Sequence, residues 1–218
     1  MPIEQCEHDT VGMVSRSFKV VFHASFLLPC PLPQPCMDKY NTLENSEKVT
    51  ECARLAGCTI VHVPINFEEG HKEISGMPYG ILAAIKEGET FMAGKWGADF
   101  YESMKPATGD LIAKGKSGLC SFSSTNLDFL LRQNGIQNVV LGGFLTNCCV
   151  ESTMRTAYEN GYKVYTMKDC CAATSIEGHE STYEHNFGMF SVPTTSAEIM
   201  RSIALSKPAE RQSYIDTL

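Results

Sequence analysis

A short apolar run, Asn138-Val139-Val140-Leu141, stops at Gly142-Gly143, and a helical pattern from Glu151 to Asn160 follows close behind. A strand that ends on two glycines and turns into a helix is half of a crossover unit, and crossover helices join parallel strands. The same alternation runs along the chain. Leu43 to Ala56 reads as a helix stopped by Gly57, and Cys58 to Val63 as a buried strand. Leu111 to Ala113 reads as a short strand, and Thr125 to Asn134 as a helix stopped by Gly135. Tyr162 to Met167 reads as a strand, Phe187 to Val192 as the last one, and a helix begins at about Ser196. The expected fold class is α/β: one three-layer α/β/α domain around a mostly parallel, Rossmann-like sheet. Ligands in such sheets bind at the carboxyl ends of strands.

No repeat or second domain is visible, and the marked composition break is Pro29 to Cys36. Alternating prolines remove N–H donors and fix extended backbone, so this stretch is expected to be neither an interior strand nor a helix. Residues 1–36 are set apart as a divergent segment, and residues 37–218 as the domain proper. A length of 218 residues suits one sizeable core, and 43% hydrophobic with 20% charged residues is a globular composition. The net charge of −7 argues against a nucleic-acid partner, which needs a basic face. No apolar run approaches the roughly 20 residues of a membrane span. Glu4, Glu7 and Asp9, with no basic start, do not make a signal peptide, so the expectation is cytoplasmic, with export by another route left open.

The turn between Gly143 and Glu151 holds Cys148 and Cys149. Near a helix start, unpaired N–H groups and the positive dipole end favour thiolate over thiol, and thiolate is the nucleophilic form. The same amides could hold an oxyanion. The bland alternative is that both cysteines are small packed hydrophobes. Ten cysteines with adjacent pairs at 148/149 and 170/171, and without Cys-x-x-Cys, suit neither a disulfide framework nor a zinc site.

Gly143-Phe144-Leu145-Thr146-Asn147-Cys148-Cys149-Val150-Glu151-Ser152-Thr153 resembles the nucleophile motif Gly-x-x-Thr-Asn-x-Cys-Val-x-x-Thr of the isochorismatase-like cysteine hydrolases. The likeness continues through Asp169-Cys170-Cys171-Ala172-Ala173 and runs back to about Leu43. It implies a cofactor-free hydrolase of small amides, ureido compounds or isochorismate, working through a Cys, a Lys and an acid. It implies Cys149 as nucleophile, with Cys148 about 100° around the helix and packed. It also implies a cis Phe144–Leu145 bond that turns the Leu145 amide toward the oxyanion. The family's Lys segment matches Gly109 to Leu127. Counting back from Phe122 points to Lys116, and counting forward from Asp110 points nearer Lys114; the Phe122 to Leu127 side is the better match and favours Lys116. Homo-oligomers are common in the family, and a homo-oligomer is expected here.

The family's acid is missing from its expected place. Ser17 to Pro29 is strand-like but carries no carboxylate; His23 is the titratable group there besides Lys19, and Glu4 is the other option. Either the chain has lost its general base and binds a small molecule or a partner without turnover, or its first residues reflect a mistaken exon or reading frame. A third reading, a thiol redox sensor, rests on the cysteine count and needs a resolving Cys within reach. Trp96 and Phe122 are candidate pocket walls, while Thr146 and Asn147 are expected to cap the helix and hold the turn. His62-Val63-Pro64-Ile65-Asn66 and His71 lack the Asp-x-His arrangement of metal-binding relatives, so no metal is expected.

Overall fold

The structure is a computed structural model that describes residues 22–23 and 33–206. Six strands occur in it: β1 (Phe22–His23), β2 (Val61–His62), β3 (Leu111–Ile112), β4 (Asn138–Phe144), β5 (Lys163–Ala172) and β6 (Val192–Thr194). The helices are α1 (Gln34–Tyr40), α2 (Thr42–Leu55), α3 (Gly80–Glu87), α4 (Leu127–Gln133), α5 (Glu151–Glu159), α6 (Ile176–Thr182), α7 (Gly188–Phe190) and α8 (Ser196–Ser206). The strands pair in parallel as a four-stranded sheet, β1-β4-β5-β6, and a two-stranded sheet, β2-β3.

Strand periodicity sorts the core into two layers. Val139 and Leu141 of β4 pack with Leu127 and Leu131 of α4 and with Met154 and Ala157 of α5. Val140, between them, faces the other way, onto Val49 and Ala53 of α2 and Ile199 and Ile203 of α8. Helices therefore cover both faces, as expected of a single α/β domain. Each large side chain buried this way stabilises the fold by about 1.5–3 kcal/mol.

β5 is longer than the Tyr162–Met167 strand read from sequence. Its register against β4 jumps from Leu141↔Thr166 to Gly143↔Cys171, so β5 bulges and then resumes pairing to Ala172. Gly142 permits that approach: a Cβ there would lie 3.0 Å from the Cys170 carbonyl oxygen and 3.3 Å from the Met167 methyl. Two expectations need correction. Gln34-Pro35-Cys36, part of the stretch expected to be non-helical, opens α1; Pro is tolerated in a first turn, where its missing N–H has no intrahelical partner. Phe187 to Val192 is not the last strand, because a π-turn (Tyr183–Phe187) and α7 occupy most of it and pairing begins at Val192. Phe187 is fully buried on a helical face, an apolar run that periodicity alone assigned to the wrong period. Among the described residues no helix is long and apolar enough to cross a membrane.

Candidate active site

The carboxyl end of β4 runs through Phe144 into one π-helical turn, Thr146–Val150, whose wide ring is closed by the Val150 amide donating to the Leu145 carbonyl at 3.1 Å. The Phe144–Leu145 peptide is cis. Cys149 lies inside this turn, one turn ahead of α5, and is half-buried, as is Cys148. Thr146 and Asn147 do not cap a helix with their side chains; Thr146 Oγ1 instead lies 2.8 Å from His179 Nδ1 of α6.

Lys116 comes from the loop after β3. It is fully buried, and its Nζ donates to the carbonyls of Gly118 and Leu119, each at 2.5 Å. Lys114 is exposed. The loop needs Gly115 to turn: its φ is +90°, and a Cβ there would sit 2.7 Å from the Ser124 carbonyl oxygen. The loop is pinned to α5 by three contacts. Thr153 Oγ1 accepts from the Ser121 amide at 3.1 Å and lies 3.0 Å from Ser121 Oγ, and the Cys120 thiol donates to Thr156 Oγ1 at 3.1 Å. Thr125 also bonds the Ser121 carbonyl.

Electrostatics join the two halves. The Cys149 thiol is held down at about 6, first by a hydrogen bond from the Cys148 thiol and then, against burial, by the Lys116 charge and the Leu145 amide. Cys148 is pushed upward, mainly by that same hydrogen bond and by burial, so it stays a neutral donor. It is therefore a partner of Cys149 and not simply packed, because the widened turn and the non-helical backbone of Asn147 (φ −86°, ψ 24°) alter the spacing of a regular helix. Burial lowers Lys116, and the three neighbouring sulfurs, Cys149, Cys120 and Cys148, oppose that shift.

The remaining candidates lie elsewhere. Trp96 stands 63% exposed on a short 3₁₀ turn, and Phe122 packs against the core with its ring centroid 6.0 Å from Tyr162. Glu4 is outside the described residues, and for His23 only the backbone is described, in register with Leu141. Cys149 and Lys116 are shifted by burial, the neighbouring sulfurs, the Leu145 amide and each other. An open recess of about 350 Å³ lies between α1, the start of α2 and Tyr101, with Met37, Leu43 and Glu47 among its walls. Its walls Met37, Leu43 and Tyr101 share packing clusters with Phe144 at the β4 end, while Cys149 and Lys116 are not among its lining residues. Among the described residues no group of three or more His, Cys, Asp or Glu side chains is arranged for a metal ion.

What sequence reasoning missed is His179. It is fully buried between the rings of Tyr40 (4.7 Å) and Tyr183 (5.0 Å) and touches the nucleophile turn through Thr146. A lone His in Glu177-Gly178-His179-Glu180 carries no spacing signal, and only the fold brings it to Thr146.

The Isochorismatase domain family model matches residues 30–198. The chain is 29% identical to the ureidoacrylate amidohydrolase RutB of Rhizobium rhizogenes over 139 residues, which are 59% of this chain and 56% of that protein. It thus spans only a little over half the length of this curated relative. An isochorismatase-like hydrolase from Alkaliphilus metalliredigens superposes with a TM-score of 0.66 at 25% identity, over 84% of this chain and 97% of that one. A cysteine hydrolase from Pseudomonas syringae pv. phaseolicola superposes at 0.71 and 20% identity, over 86% and 92% of the two chains.

Proposed function

The chain belongs to the isochorismatase family, and on that premise we propose that it is a cysteine hydrolase of a small amide or ureido compound, with Cys149 as nucleophile. The observation that carries this reading is the convergence of a fully buried Lys116 and the Leu145 amide on a thiol held at about 6. A buried cation next to a half-buried thiol is costly unless the sulfur is charged, so the pair favours the reactive form. The likeness to a ureidoacrylate amidohydrolase supports the substrate class.

In the first step the Cys149 thiolate attacks the carbonyl carbon, and the carbonyl oxygen becomes an oxyanion. The Leu145 and Cys149 amides donate to that charge, as the family resemblance implies, and Lys116 offsets it. Collapse breaks the C–N bond and leaves a thioester on Cys149 from an amide, or a thiocarbamate from a ureido compound; water then attacks it, releases the carboxylic or carbamic acid and restores the thiolate. The leaving nitrogen must gain a proton and the attacking water must lose one. Among the described residues, the groups beside the sulfur that can carry these protons are Lys116 and the Cys148 thiol, with solvent completing the exchange.

The test is ammonia release from a panel of small ureido compounds and primary amides by wild type, Cys149→Ala and Lys116→Met, with mass spectrometry for a Cys149-bound acyl group. Release should vanish in Cys149→Ala and fall at least about a hundredfold in Lys116→Met, the scale of one lost charge-stabilising group. In wild type, kcat/KM should rise with pH through a one-proton step near 6, because thiolate is the active form and its population grows above that value. Turnover that survives Cys149→Ala would defeat the reading. A chain that binds panel compounds without turning any over would instead support a catalytically impaired relative.

A further inference from the structure

We propose that His179 is a positioning residue for this site: through Thr146 it holds the Leu145 amide in place on the Cys149 sulfur. The inference rests on Cys149 being the nucleophile.

The chain of contacts is short. Leu145 is fixed on its carbonyl side by the turn, with the amides of Cys148 and Val150 donating to its oxygen at 3.2 and 3.1 Å. Its own amide donates to the Cys149 sulfur. The next residue, Thr146, is fully buried, and its hydroxyl lies 2.8 Å from His179 Nδ1. The Leu145 N–H lies in the Phe144–Leu145 peptide, so its direction follows the position of the Leu145 Cα. The Cys148 and Val150 amides hold the carbonyl just beyond that Cα, and His179 holds Thr146 beyond the carbonyl. A released Thr146 lets this C-terminal side shift and carry the N–H off the sulfur.

His179 is itself well anchored. Ser175 caps α6 by accepting from the Gly178 amide at 3.0 Å, and the His179 amide donates to the Ser175 carbonyl at 3.1 Å. The next residue, Glu180, accepts from Lys39 Nζ at 2.5 Å and from the Tyr40 hydroxyl at 2.9 Å, which ties α6 to α1. The rings of Tyr40 and Tyr183 pack against the imidazole. Around it, burial first and then the charges of Lys168 and Lys39 disfavour the imidazolium, and Glu180 opposes them; the result is about 4. His179 is therefore neutral wherever Cys149 is a thiolate, and the bond to Thr146 is constant over the working range. Thr146 needs a partner that exchanges one hydrogen with its hydroxyl at the Nδ1 position. An Asn amide can reach that place, and a Phe ring cannot.

The experiment is the pH dependence of iodoacetamide labelling of the Cys149 peptide in full-length wild type, His179→Phe, His179→Asn, Thr146→Val and the His179→Phe/Thr146→Val pair. Circular dichroism first confirms that each variant is folded. Wild type should label with a midpoint near 6. His179→Phe and Thr146→Val should each raise that midpoint by about one unit, a roughly tenfold slower labelling at pH 5.5. The pair should shift it no further than either single change, since both break the same bond. His179→Asn should keep the midpoint near that of wild type. Thr146→Val removes only a hydroxyl, so it remains informative if the Phe variant does not fold. A folded Thr146→Val variant with the wild-type midpoint overturns the inference while leaving Cys149 poised. Wild type without selective Cys149 labelling overturns the nucleophile assignment and this inference together.

Discussion

Residue by residue, the site is held by groups whose charge state follows from burial. His179 also bears on acid stability. The unfolded chain protonates an imidazole near 6.5, whereas the folded one resists until about 4 because of burial and then Lys168. Between those values the unfolded state binds a proton that the folded state refuses, so stability falls as pH drops from about 6.5 and the loss is complete below about 4. Its ceiling is about 3 kcal/mol. Urea denaturation at pH 7 and pH 4.5 should show the gap between wild type and His179→Phe narrowing toward low pH; an unchanged gap would remove His179 from the acid response. His62, lowered chiefly by burial with Asp110 opposing, acts alike in both proteins and cancels from that gap, whereas the higher Cys149 midpoint expected in His179→Phe would add to the narrowing, so both proteins are compared in a Cys149→Ala background.

Among the elements, those read correctly from sequence are the ones whose signals are local. Gly57 and Gly135, at φ of +73° and +61°, stop α2 and α4 because a left-handed residue cannot continue a helix. The motif from Gly143 to Val150 points to Cys149 and the match through Phe122 to Lys116, and both residues follow strand ends. Elements set by packing were not legible. The bulge that extends β5 depends on Gly142 facing Cys170, and α6 is held by partners in α1 far away in sequence. The Lys loop belongs to this second kind. Its carbonyls at 118 and 119 grip Lys116, and the next residues are pinned by Thr153 and Thr156 of α5. Thr153→Val keeps the shape but removes both bonds to Ser121, so it should cost about 1–3 kcal/mol. It should also cut turnover beyond what the unfolded fraction explains, because the Lys116 cradle loosens. Thr153→Ser restores the hydroxyl and should recover most of the turnover; equal loss in both variants would mean that the methyl group, and not the hydroxyl, matters.

On the scale of the whole molecule, the two catalytic candidates come from different sheets. Lys116 follows β3 of the two-stranded sheet, and Cys149 follows β4 of the four-stranded one. Their alignment therefore depends on what fastens one sheet to the other. α2 packs on the β5 face beside α8, within the four-stranded half. From that helix Arg54 reaches Asp110 at the head of β3, with bonds of 3.2 and 2.6 Å, and Asp110 also meets His62 of β2 at 2.9 Å and the Ala107 amide at 2.9 Å. Burial alone would raise the Asp110 carboxyl, but Arg54, the Ala107 amide and His62 outweigh it and hold the group ionised. Its side chain is 5% exposed, so the charge is shielded and its loss leaves Arg54 beside an uncharged partner. Asp110→Asn should cost about 3 kcal/mol, the lower end for breaking a buried pair from one side. Arg54→Met should cost less, since Asp110 keeps His62 and the Ala107 amide. If the network sets the sheets against each other, Asp110→Asn will also raise the labelling midpoint of Cys149 in the folded protein, although Asp110 touches neither Cys149 nor Lys116. Stability lost with that midpoint unmoved would show that the sheets hold their register without it, through the Ser121–Thr153 and Cys120–Thr156 contacts and the shared core of Val61, Val63 and Ala113 with Val139 and Leu141.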